Sequence, residues 1–130
     1  GDTKGDVAIH YQLCEGNVKL QNDRFLATTQ FSDNNNVMLQ CFAPKGSTMR
    51  KEEGWVSYAY RQKAERAAFA FVKDKKDSSP IRFITVIMPV KDEKTAPVIK
   101  AEFVNKQFSQ KSLSVKVQVG KNKYDLNYSL

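Results

Sequence analysis

Aromatic and basic side chains crowd one stretch of this 130-residue chain: Trp55, Tyr58 and Tyr60, then Arg61, Lys63 and Arg66. Sugar and base rings stack on exposed aromatic faces, and a guanidinium clamps a carboxylate or sulfate through parallel hydrogen bonds. The pattern nominates Trp55, Tyr58, Arg61, Lys63 and Arg66 as contacts for an anionic glycan or as a surface for docking another domain. Core packing of the same aromatics is the ordinary alternative.

Catalytic chemistry finds less support. His10 is the sole histidine, and it falls on the polar phase of a strand, where an exposed or hydrogen-bonded ring without a catalytic role is expected. Glu52-Glu53 and Asp92-Glu93 are adjacent pairs. Neighbours on a strand face opposite sides, so neither pair forms a carboxylate dyad. There is no Gly-x-Ser-x-Gly elbow, no phosphate-cradling glycine loop and no His/Cys/carboxylate set at metal-ligand spacing. No catalytic residue, metal or cofactor is expected. Cys14 and Cys41 are too few for a disulfide framework. Two buried free thiols are the expectation, with a single bridge in an oxidising compartment as the alternative.

The net charge of +7 is uneven. Residues 1–60 carry 6 basic and 7 acidic side chains, whereas residues 61–130 carry 15 and 7. Such an excess suits an anionic partner, although singly spaced lysines also suit the solvated faces of strands. No basic cluster or recognition motif points to nucleic acid, and no apolar run is long enough for a membrane span. The opening residues carry no apolar leader, and Gly1 stands without an initiator Met, which reads as an excised piece of a longer protein.

The elements that must position these residues are strands. Val7, Ile9, Tyr11 and Leu13 alternate with Ala8, His10, Gln12 and Cys14, the period of a half-buried strand. Short strands follow at Val18–Leu20, over residues 24–31, at Val37–Phe42 and at Trp55–Tyr60, with Ser32-Asp33-Asn34-Asn35-Asn36 closing a hairpin. Residues 61–71 fit both a helical and a strand template; a loop over 61–66 and a strand over 67–73 are preferred. Asp74–Pro80 reads as a hairpin loop, and Ile81–Val90, the most apolar segment, as a central strand covered on both faces. Pro97–Val104, Ser112–Val119 and Lys123–Tyr128 alternate again around a tight turn at Gly120-Lys121-Asn122-Lys123. Nine or ten short strands in 130 residues predict an all-β fold, a single antiparallel β-sandwich domain over residues 1–130 that stays monomeric.

From Asn34 onward the chain resembles the C-terminal β-sandwich domain of the heparinase II/III-like polysaccharide lyases. The resemblance is carried by Asn35-Asn36-Val37, Glu53-Gly54-Trp55-Val56-Ser57-Tyr58, Ala64-Glu65-Arg66 with Phe69-Ala70-Phe71, Arg82 to Ile87 with Pro89, and Val115 to Val119 with Tyr124. It implies a non-catalytic accessory domain beside a catalytic α/α toroid in the same parent chain. That parent would cleave uronic-acid polysaccharides, heparan sulfate among them, by β-elimination in the periplasm or outside the cell. A stand-alone carbohydrate-binding module for anionic glycans is the alternative. None of the family's catalytic residues falls on a matching position, so lyase activity is expected of the parent and not of the isolated chain.

Overall fold

Two phenylalanines, spaced two apart in an otherwise alanine-rich segment, organise the larger part of the molecule. The structure, a computed structural model, describes residues 4–130. It is all-β and antiparallel, as the alternation predicts. In chain order the strands are β1 (Gly5–Gln12), β2 (Val18–Gln21), β3 (Leu26–Thr29), β4 (Asn36–Phe42), β5 (Thr48–Glu52), β6 (Trp55–Val56), β7 (Ala64–Glu65), β8 (Ala68–Lys75), β9 (Ile84–Val90), β10 (Ile99–Phe103), β11 (Ser112–Val119) and β12 (Asn122–Ser129), with one 3-10 turn at Asn22–Arg24. The described residues fall into two compact units, one ending at Thr95 and one spanning Ala96–Leu130. No helix among them is long and apolar enough to cross a membrane.

The first unit is a sandwich. One sheet has the order β1-β8-β5 and the other β2-β3-β4-β9. Phe69, Phe71 and Met49 from the first sheet pack against Ala27, Leu39 and Cys41 from the second, with Tyr11, Leu20, Phe25 and Phe83 at the margins. Phe69 and Phe71 meet edge to face at 5.7 Å, and Tyr11 lies 5.8 Å from each. These offset and edge-on geometries are the ones a ring quadrupole favours. Burying each phenylalanine fully is worth about 1.5–3 kcal/mol.

The doubly covered central strand is β8, not the Ile81–Val90 segment. Ala68, Phe69, Ala70, Phe71 and Val72 are all buried. The outward alanines are covered because long cross-strand neighbours lie over them: Ala70 pairs with His10 and Arg50, and Ala68 with Gln12 and Glu52. β9 pairs only with β4 and ends its sheet. Its Ile87 is 58% exposed, and Pro89 can donate no ladder hydrogen bond, a residue type that edge strands tolerate. Asp74–Pro80 is likewise no hairpin loop, because β8 and β9 lie in different sheets. The Trp55–Tyr60 strand shortens to Trp55–Val56. Strand β5 escaped sequence reading because Thr48-Met49-Arg50-Lys51-Glu52 offers a single apolar residue, too little for a period.

The β3–β4 hairpin forms where expected, and Asn34 takes the left-handed conformation (φ 61°) that its residue type tolerates. A buried polar knot closes it. Thr29 Oγ1 donates to Asn36 Oδ1 at 2.9 Å, the Phe31 N–H donates to the same oxygen at 2.7 Å, and Asn36 Nδ2 donates to Lys91 O at 2.9 Å. The second unit is a three-stranded sheet, β10-β11-β12. The two-residue turn Gly120-Lys121 joins β11 to β12, with Gly120 at φ 59°. Cross-strand register puts Ala101, Val117 and Tyr124 on one face, and Lys100, Gln118 and Lys123 on the other.

Candidate functional site

The aromatic and basic cluster sits on a hairpin. β6 and β7 pair Trp55 with Glu65 and Val56 with Ala64, and the intervening loop presents Tyr58, Tyr60, Arg61 and Lys63 to solvent. Local bonds shape the loop: Ser57 Oγ donates to Ala59 O at 2.8 Å, and the Gln62 N–H donates to the same carbonyl at 3.1 Å. Arg61 takes a left-handed backbone conformation at φ 59°, which costs a non-glycine residue about 1–2 kcal/mol. The base of the hairpin is fixed by close approach. The Arg66 N–H donates to Gly54 O at 3.0 Å. A Cβ at Gly54 would lie 2.7 Å from both Arg66 O and Ala68 Cβ. Glycine in the Glu53-Gly54-Trp55 block thus lets the chain pass against the start of β8 and aims Trp55 outward.

Trp55, Tyr58 and Tyr60 are 47%, 69% and 87% exposed, so core packing does not account for them. Lys63 Nζ stands 3.8 Å over the Trp55 ring and Arg61 Cζ 5.2 Å over the Tyr60 ring. Both distances lie within the reach of a cation–π interaction. Trp55 with Lys63, and Arg61 with Tyr60, are thereby paired on one hairpin whose loop also carries Tyr58. Arg66 is set apart: half-buried, it donates through Nη2 to Gln12 Oε1 on β1, and its Nε is buried without a hydrogen-bond partner. Its place is in the framework under the hairpin.

A second charged group was not foreseen. His10 Nδ1 lies 2.8 Å from Glu52 Oε2, while Arg50 Nη2 donates to Glu52 Oε1 at 3.1 Å. The His10 hydrogen bond, followed by Arg50, holds the Glu52 carboxyl below its ordinary range. His10 is exposed and hydrogen-bonded, as expected; its partner was missed because β5 was missed. Among the described residues no group of three or more His, Cys, Asp or Glu could hold a metal ion. Both cysteines are free. Burial pushes the Cys41 thiol up to about 11, which keeps it protonated and unreactive at neutral pH. Cys14, against expectation, is exposed, because it lies beyond the last residue that β1 pairs with β8.

No family model matches the chain. It is similar over its full length to the heparin-sulfate lyase of Bacteroides stercoris (41% identity over 130 residues, 20% of that protein) and to that of Bacteroides thetaiotaomicron (31% over 137 residues, 19%). A solved heparinase III superposes on the whole chain with a TM-score of 0.94 at 41% identity, covering 20% of that structure. The heparan sulfate lyase HepC of Pedobacter heparinus gives 0.86 at 28% identity, covering 21%. The chain spans about a fifth of the length of the relatives it matches. It is homologous to one small part of the heparin-sulfate lyases, and the resemblance carried by the Glu53–Tyr58 and Phe83–Pro89 blocks is borne out.

Proposed function

We propose that this chain is a non-catalytic accessory β-sandwich domain, the C-terminal one, of a larger lyase that cleaves heparin- and heparan-sulfate-like uronic-acid polysaccharides by β-elimination. The observation that carries the reading is one of extent: all of this chain, and only a fifth of each relative, is shared. The remaining four fifths of such a protein would hold the catalytic toroid. A long external polymer as substrate supports a location in the periplasm or outside the cell.

In this role the β6–β7 hairpin is a contact and not a reaction centre. Trp55 offers one indole face, the other being taken by Lys63, while Arg61 offers a planar fork to a carboxylate or sulfate. A second reading, a stand-alone carbohydrate-binding module, is favoured by the same exposed aromatics. A transplant separates the two. The Bacteroides stercoris lyase with its homologous fifth replaced by this chain is expected to depolymerise heparan sulfate, and the same lyase lacking that fifth is expected to lose most activity. Equal activity with and without the segment would remove the accessory role.

A further inference from the structure

Positive charge is densest in the second unit. Ala96–Leu130 carries six lysines against two carboxylates, and so holds more than half of the chain's net +7 in about a quarter of its residues. Three of these lysines share one sheet face. Register aligns Lys100, Gln118 and Lys123 in a row across β10, β11 and β12, and Glu102, Lys116 and Asp125 in the row beside it. These six side chains border a shallow cleft of about 380 Å³, near the lower end of the range for sites that hold a small ligand.

The two rows differ in balance. Lys116 stands between two carboxylates on the neighbouring strands. Lys100 and Lys123 have only Gln118 between them, and neither forms an ion pair within 4 Å among the described residues. Their backbones are two strand spacings apart, about 10 Å. Two flexible ammonium arms on that base can converge on one anionic group or hold two along a chain. Gln118 Nε2 already donates to Gly120 O at 2.9 Å, which fixes the amide between them. Lysine on edge strands also blunts edge-to-edge pairing, but that role calls for neither a lysine on the central strand nor a cleft.

We infer that this face, centred on Lys100, Gln118 and Lys123, binds a sulfated or carboxylated glycan chain, separately from the β6–β7 hairpin. The inference rests on the reading of the protein as part of a lyase for anionic polysaccharides, which supplies the ligand's chemistry. Exposed lysines bind a polyanion weakly, and the attraction is screened as salt rises.

The test is a heparan sulfate hexasaccharide titration at low salt, using the 130-residue chain, a Lys100→Ala/Lys123→Ala variant and a Trp55→Ala/Lys63→Ala variant, each checked for fold by circular dichroism. The lysine variant should bind about five- to tenfold more weakly than wild type, the loss expected from two exposed charge contacts. Sensitivity to salt should fall with it, and the hairpin variant should keep the sheet-face contact. Unchanged affinity in the lysine variant would overturn the sheet-face site while leaving the parent's function untouched. No binding by wild type would overturn any glycan contact by this chain, and the transplant would still decide the accessory role.

Discussion

Strand β8 and the β6–β7 hairpin adjoin in sequence and are both rich in aromatics, yet they have opposite fates. Phe69 and Phe71 are 0% exposed, whereas Tyr60 is 87% exposed. The difference lies in the neighbours. In β8 the phenylalanines alternate with Ala68, Ala70 and Val72, which accept burial, so both faces of the strand can be covered. In the hairpin Trp55, Tyr58 and Tyr60 run straight into Arg61, Gln62 and Lys63, whose charges and hydrogen-bonding groups hold the segment in water. Aromatic content alone does not mark a core; the polarity of the segment that flanks the rings decides.

Substitutions sharpen this contrast, beginning with the core. Phe71→Ala should destabilise the chain by about 3–5 kcal/mol in denaturant titration, the range for deleting a buried aromatic. Asn36→Ala should cost about 1–3 kcal/mol by leaving the Phe31 N–H and Thr29 Oγ1 without their shared acceptor. Gly54→Ala should cost about 1–3 kcal/mol through overpacking against Ala68 and Arg66, and should shift the fluorescence of Trp55 as the hairpin base moves. Trp55→Ala, by contrast, should cost no more than about 1 kcal/mol, the worth of an exposed cation–π contact. A loss as large as that of Phe71→Ala would place the indole in the core and erase the distinction.

The smallest effect is set by pH. The folded state holds Glu52 below its ordinary value of 4.5 through the His10 hydrogen bond. A depressed carboxyl contributes stability in full above its unfolded value and loses it as pH falls through the folded one. Urea midpoints measured at about pH 7 and about pH 3 should therefore fall further for wild type than for Glu52→Gln. An equal fall would show that the His10–Glu52 pair contributes nothing to stability.

Much of the scaffold was legible because alternation reports burial directly, as in β1 and β11, and because Asn34 and Gly120 announce their turns. β9 misled because a continuous apolar run says nothing about how many neighbours a strand has; pairing on one side alone leaves Ile87 in water. β5 was invisible because its four polar residues surround only Met49, although Met49 reaches the core. Of the candidate site, Trp55, Tyr58, Arg61 and Lys63 were legible as aromatic and basic neighbours in sequence, but not as one exposed hairpin, because the strand read through Tyr60 ends at Val56. The position of Arg66 was not, because its partner Gln12 lies 54 residues away on β1, a pairing that no local pattern encodes.

The central claim is that this chain supports a lyase without performing its chemistry. The most direct measurement incubates the pure chain with heparan sulfate and follows the appearance of unsaturated uronate ends, alongside the Bacteroides stercoris enzyme as a positive control. The expected result is product from the full-length enzyme and none from the chain at any concentration tested. Catalytic turnover by the chain, lost on His10→Ala, would contradict the account and place a reaction centre at the His10–Glu52 pair.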